Sequence, residues 1–169
     1  MIIMITGGQR SGKSEFAEQL ALSLSQRPVY LATAQVLDEE IGRRVAIHKE
    51  RRGERWLTIE EPLRIDEAGV ESGMTVVVDC VTLWASNWFF NSGEQVDKAL
   101  DEMKRRFDSL AASGATLLMV TNEIGLGGVA DNAMQRRFTD LQGAINRHIA
   151  SKADEVHFIV SGIDMKIKP

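Results

Sequence analysis

The sequence predicts an α/β fold, a mostly parallel sheet covered by helices on both faces, and three observations carry that expectation. Apolar, β-branched runs alternate along the chain with segments of helical periodicity. A glycine-rich turn, Gly7-Gly8-Gln9-Arg10-Ser11-Gly12-Lys13-Ser14, stands between the first such run (residues 1–6) and the first helical segment. A later run, residues 74–79, ends on the carboxylate of Asp79, and the carboxyl ends of strands are where open parallel sheets meet their ligands.

The whole chain bounds what these features can mean. Its 169 residues suit one domain, residues 1–169, with a single well-covered core. A composition of 44% hydrophobic and 26% charged residues is globular. The net charge of −4 gives no electrostatic case for nucleic acid or an anionic membrane as partner. Cys80 is the only cysteine, so no intrachain disulfide forms and the cytoplasm is the simplest location. No apolar run reaches the roughly 20 residues of a membrane helix, and the first strand begins without a basic leader.

Taken in order, the glycine turn opens a helix over residues 15–25 with Phe16, Leu20 and Leu24 on one face. The eight-residue turn fits the phosphate-loop pattern G-x-x-x-x-G-K-[ST]. Its glycines let successive N–H groups face a phosphate chain at a helix N-terminus, Lys13 reaches the β- and γ-phosphates, and the Ser14 hydroxyl holds Mg²⁺. A proline-opened strand follows at 28–33. Asp38 then caps a helix running to about Arg52, where Ile41, Val45 and His48 share a stripe and Arg43, Arg44, Lys49, Arg51 and Arg52 crowd the far end. Residues 56–60 read as a short strand, and 62–71 as a short helix or irregular link.

In the second half, the aromatic-rich segment 82–90 predicts a buried helix beside the site or another subunit. Gly93 ends it, and residues 95–113 form an amphipathic helix with Val96, Leu100, Met103, Phe107 and Leu110 inward, stopped at Gly114. Residues 115–121 are a buried strand, and the glycine-rich 122–129 is either a mobile cover over the site or a plain connector. A helix over 132–152 and a strand over 155–161 complete the chain, with a short tail to 168.

Of the three histidines, His148 on a polar helix and His157 in the last strand read as packed or solvated residues. His48 has two readings. It is either a partly buried helix histidine beside a basic, solvated face, or a nucleophile that neighbouring cations keep neutral by disfavouring the imidazolium.

The chain resembles the bifunctional adenosylcobinamide kinase/adenosylcobinamide-phosphate guanylyltransferase family of cobalamin assembly over essentially its full length. Four blocks carry the likeness: the phosphate loop; Ala32-Thr33, Asp38, Glu40, Arg44, His48, Arg52, Trp56, Thr58 and Glu60; residues 79–84 with Asn87; and residues 120–125 with Arg136, Phe138, Asp140, Gly143, Asn146, Ser161 and Gly162. The resemblance implies that His48 becomes guanylylated. It also implies that the phosphate loop, Thr33, Ala34, Lys49, Glu50, Arg51, Arg52, Glu60 and Asp79 contact nucleotide, and that the enzyme is a homotrimer with sites near subunit boundaries. A carboxylate at Glu60 or Asp79 selects guanine by accepting from N1–H and the exocyclic amine together, or Asp79 serves Mg²⁺ instead.

Residues depart from the family pattern at Ala130, Arg147 and Asp164, which bears on loops and corrinoid contacts, and at Ile47, which leaves His48 as the local nucleophile. The implied substrates are adenosylcobinamide with ATP or GTP. Two rivals remain on sequence: a P-loop small-molecule kinase in which His48 only binds phosphate, and a guanine-nucleotide switch. The switch lacks an N-K-x-D motif after the strand that ends at Thr121.

Overall fold

A computed structural model describes residues 1–35 and 53–169. The expected helix at 38–52, with Asp38, His48, Lys49, Glu50, Arg51 and Arg52, lies outside the described residues. Seven strands form one sheet: β1 (Ile2–Gly7), β2 (Val29–Ala32), β3 (Leu57–Glu60), β4 (Thr75–Asp79), β5 (Thr116–Val120), β6 (Glu155–Val160) and β7 (Ile163–Lys168). Their spatial order is β3-β2-β4-β5-β1-β6-β7. Every pairing is parallel except the β6–β7 hairpin.

The described helices are α1 (Lys13–Leu24), α2 (Val81–Asn91), α3 (Val96–Ala111) and α4 (Ala133–Lys152). Side chains alternate across each strand, so one strand feeds two cores. Ile3 and Ile5 of β1 pack with Ala17 and Ala21 of α1, while Met4 joins the core covered by α2, α3 and α4. Both faces of the sheet are therefore covered, as the alternating sequence pattern requires.

One helix buries a face rotated from the expected one, and a second buries a face wider than expected. On α1 the inward residues are Ala17 and Ala21; Phe16 and Leu20 pack at the margin and Leu24 is exposed. Small side chains there let the helix lie close against the strands beside the glycine turn. On α3, Met103, Phe107 and Leu110 are buried as expected, but Ala99 and Arg106 join them while Val96 and Leu100 lie at the edge.

Arg106 is buried because it has work to do there. Its Nη1 donates to Asp66 at 2.7 Å and to Glu67 at 2.9 Å, pinning the single 3₁₀ turn Ile65–Glu67 that forms in the link after β3. Burial works against its charge, but the hydrogen bonds it donates to Glu67 and Asp66 prevail and raise its pKa. Trp84 and Trp88 both donate their indole N–H to the Leu63 carbonyl, at 2.9 and 3.0 Å. Trp84, Trp88 and Phe89 are thus buried with both indole N–H groups satisfied, while Leu83 and Phe90 on the same helix stay exposed.

The expected tail beyond residue 161 is in fact strand β7. Val160 pairs with Ile163, and the two residues between them, Ser161 (φ 52) and Gly162 (φ 81), are both left-handed, the geometry of a tight two-residue hairpin. The Ser-Gly dipeptide is a turn signal that a reading of apolar runs passes over, because β7 is solvent-exposed and mixed in character. His157 fastens the hairpin: its ring nitrogens meet Asp164 at 2.8 Å and Glu155 at 3.2 Å.

Candidate functional site

The glycine turn sits at the carboxyl end of β1, held from two sides. The Gly162 N–H donates to the Ser11 carbonyl at 2.8 Å, and the Glu123 N–H donates to the Gly7 carbonyl at 3.0 Å. Gly7 has no room for a side chain, since a Cβ would lie 2.4 Å from the Ile159 carbonyl oxygen. Gly12 (φ 98) is the N-cap of α1, so the helix starts in a conformation that glycine adopts without penalty and presents its free N–H groups to the turn.

Lys13, the first residue of α1, is only 7% exposed. Its ammonium donates to the Gly8 carbonyl and lies 3.4 Å from Ser11 Oγ, so the loop folds around it. Burial pulls its pKa below the ordinary lysine value, with the charge of Asp79 acting in the other direction. A cavity of about 400 Å³ collects Gln9, Arg10, Ser11, Gly12, Lys13 and Ser14 together with Asp79, Cys80, Leu83, Thr121 and Asn122. The loop cations and the strand-end carboxylate, far apart in sequence, face one space.

Asp79 is oriented by a residue that periodicity alone does not single out. Tyr30 on β2 donates its hydroxyl to Asp79 Oδ2. Thr33 is fully buried; its hydroxyl donates to the Cys80 carbonyl at 2.8 Å and accepts from the Cys80 N–H at 2.8 Å. Asn87 on α2 in turn donates to the Thr33 and Pro62 carbonyls, each at 2.8 Å. Thr33 and Asn87 therefore lock the end of β4 in place. Cys80 caps α2 by accepting from the Leu83 N–H, and burial followed by the charge of Asp79 pushes its thiol up to about 12.

Opposite Asp79, the end of β5 is fixed by a buried amide network. Thr121 donates to Asn146 at 2.8 Å, Gln142 donates to both, and Asn146 donates to the Asn122 carbonyl at 3.1 Å. Thr82 accepts from the Asn122 N–H at 2.9 Å. Tyr30 and Gln142 are not signalled by the sequence patterns, and Thr82 stands inside the 79–84 block without a role attached to it.

The strand register sets the remaining candidates on one line. Glu60, Ala32, Asp79, Val120 and Ile5 are successive partners across β3, β2, β4, β5 and β1. At about 4.8 Å per strand, Glu60 stands roughly 10 Å from Asp79, exposed at the sheet's outer strand. Ala34 is half-buried just beyond β2. The structure brings residues 9–14 and Asp79 together and sets Glu60 apart; His48 and residues 49–52 lie outside the described residues. Among the described residues, no group of three or more His, Cys, Asp or Glu side chains is placed to hold a metal ion, and no helix is long and apolar enough to cross a membrane.

A strand, a glycine loop closed on a lysine, a helix N-terminus and a carboxylate at the end of β4, with one strand between, define a nucleoside triphosphate-binding protein of the P-loop class. Residues 3–167 match the family model for cobinamide kinase/cobinamide phosphate guanyltransferase, and the chain belongs to that family. It is 37% identical to the bifunctional adenosylcobalamin biosynthesis protein CobU of Escherichia coli, across 99% of this chain and 100% of that one. It is 38% identical to the corresponding protein CobP of Pseudomonas aeruginosa, across 98% and 96%. Among solved structures, a KaiC-like protein of Pyrococcus horikoshii shares the fold, with a TM-score of 0.50 at 16% identity over 93% of this chain and 69% of that one.

Proposed function

We propose that this enzyme phosphorylates adenosylcobinamide with ATP or GTP and then transfers GMP from GTP to adenosylcobinamide phosphate through a guanylylated His48. The observation that carries the nucleotide part is the single cavity shared by Lys13, Ser14 and Asp79. The family to which the chain belongs supplies the two reactions.

In the kinase reaction the acceptor hydroxyl attacks the γ-phosphorus, and the nucleoside diphosphate leaves with the bridging oxygen. Lys13 and the N–H groups of residues 8–14 stabilise charge on the transferring group, a role that needs positioned donors more than covalent chemistry. In the transferase reaction the neutral His48 imidazole attacks the α-phosphorus of GTP and pyrophosphate departs. An oxygen of adenosylcobinamide phosphate then displaces the histidine, giving adenosylcobinamide-GDP and freeing His48. Lys49, Arg51 and Arg52 stabilise the pyrophosphate, with Glu50 in the same segment.

Ser14 and Asp79 offer oxygen donors to one cavity, a set that suits Mg²⁺, which takes few protein ligands and completes its shell with phosphate and water. Bound there it would neutralise phosphate charge. Tyr30 holds the Asp79 carboxylate in place for that role. Glu60, at the far end of the strand-end line, reads the guanine edge; half-buried Ala34 follows β2 toward it, and buried Thr33 acts by holding the Asp79–Cys80 backbone. The working form is a cytoplasmic homotrimer.

Incubation with α-labelled GTP leaves acid-labile, base-stable label on the wild-type protein. Equal labelling of His48→Ala would overturn the covalent route, whereas γ-phosphate transfer to adenosylcobinamide without any adduct would reduce the protein to a kinase.

A further inference from the structure

A second cavity, of about 470 Å³, opens beside the nucleotide cavity and differs from it in chemistry. Its walls are Phe90, Val129, Met134 and Phe138, fringed by the polar ends of Gln135 and Thr139. Phe90 and Val129 are 58% and 86% exposed, so this apolar surface is open. Contiguous exposed apolar surface of this kind marks a binding site for something that covers it.

The two cavities share their framework. On α2, Leu83 lines the nucleotide cavity and Ser86 and Phe90 line the apolar one, so the whole step spans about 10 Å of helix. After β5, residues 120–122 line the first cavity and Ile124 and residues 127–130 line the second. A ligand seated on Phe90 therefore bridges to the nucleotide cavity with an arm of about 10 Å.

We propose that this cavity seats the corrin macrocycle of the acceptor, leaving its aminopropanol arm to cross α2 toward Lys13. The proposal rests on the reading of substrates given above and adds the place where the corrinoid binds. A corrin is a broad, largely apolar ring with an amide fringe. The aromatic and aliphatic wall matches the ring, and Gln135 and Thr139 match the fringe. The glycines at 127 and 128 leave the rim free of side chains, and a Cβ at either position would meet no atom within 4 Å, so the rim has room for a wide ligand.

The test uses the full-length protein with Phe90→Ala and Val129→Asp, both at exposed positions. Adenosylcobinamide is coloured, so its binding is followed by absorbance titration, and the KM values for corrinoid and for nucleotide are measured separately. We expect the corrinoid Kd and KM to rise tenfold or more in each variant, with the nucleotide KM within about twofold of wild type. Unchanged corrinoid binding in variants that fold would overturn the assignment. So would a fall in the sedimentation mass of the variants with corrinoid affinity intact, which would make the surface a contact between copies. Failure of the wild-type protein to bind or phosphorylate adenosylcobinamide would instead overturn the substrate reading itself, and the two failures are distinct.

Discussion

The Gly162 N–H donates to the Ser11 carbonyl, so the turn of the last hairpin braces the phosphate loop from outside the βαβ unit that contains it. Gly162 is left-handed, and a Cβ there would meet no atom within 4 Å. Gly162→Ala should therefore cost about 1–2 kcal/mol of stability from backbone conformation alone and leave nucleotide affinity near wild type. Gly162→Pro removes the donor and also cannot adopt φ 81, since proline holds φ at about −65°, so it should open the hairpin turn and raise the KM for nucleotide several-fold beyond the alanine variant. Chemical denaturation and nucleotide titration separate the two effects.

Gly7 and Gly8 make a second contrasting pair. A Cβ on Gly7 falls 2.4 Å from the Ile159 carbonyl, whereas one on Gly8 meets nothing within 4 Å. Gly7→Ala should destabilise the fold by about 1–3 kcal/mol and abolish nucleotide binding, because β1 and β6 must separate. Gly8→Ala should fold with wild-type stability, as thermal unfolding will show.

Tyr30→Phe removes the donor to Asp79 and keeps the ring that stacks edge-on against Trp56 at 5.9 Å. The carboxylate loses its fixed orientation. We expect kcat to fall roughly tenfold, about 1.4 kcal/mol in the barrier, with a larger Mg²⁺ requirement and little change in nucleotide KM. Steady-state kinetics across a magnesium series check this.

Cys80 should be inert while the protein is folded. With its thiol pushed up to about 12 from 9.0, the thiolate fraction at pH 8 is about a thousandfold lower than in the unfolded chain. Labelling by a thiol reagent should be slow in buffer and fast in denaturant. Because the folded state disfavours the ionised thiol, stability is unaffected below pH 9 and falls as pH rises from there toward 12, a loss that Cys80→Ala should lack.

Arg106 and Asp66 are both buried, with side-chain exposures of 8% and 9%. Arg106→Met should cost about 3–5 kcal/mol by leaving the Asp66 carboxylate without its partner. Pairing it with Asp66→Leu should recover most of that loss. Denaturant midpoints for the single and double variants measure the coupling.

Much of the fold was legible because a parallel sheet buried on both faces writes its strands as apolar runs, and residues 2–7, 75–79 and 116–120 are such runs. The phosphate loop and Asp79 were legible because their chemistry demands particular residue types at particular strand ends. Strand β7 was not, since an exposed edge strand carries no apolar run to detect. Large apolar residues do not by themselves mark the whole buried face of α1 or α3: alanine can be the inward residue, and an arginine can be when two carboxylates wait for it. Tyr30, Thr82 and Gln142 act through partners distant in sequence, and no local pattern encodes a pairing of that kind.

The alignment of Glu60, Ala32, Asp79, Val120 and Ile5 makes the sheet a gauge for the site. One residue inserted within β4 would carry Asp79 about 3.3 Å outward and turn it to the opposite face. The strands that feed the site therefore admit no change of length.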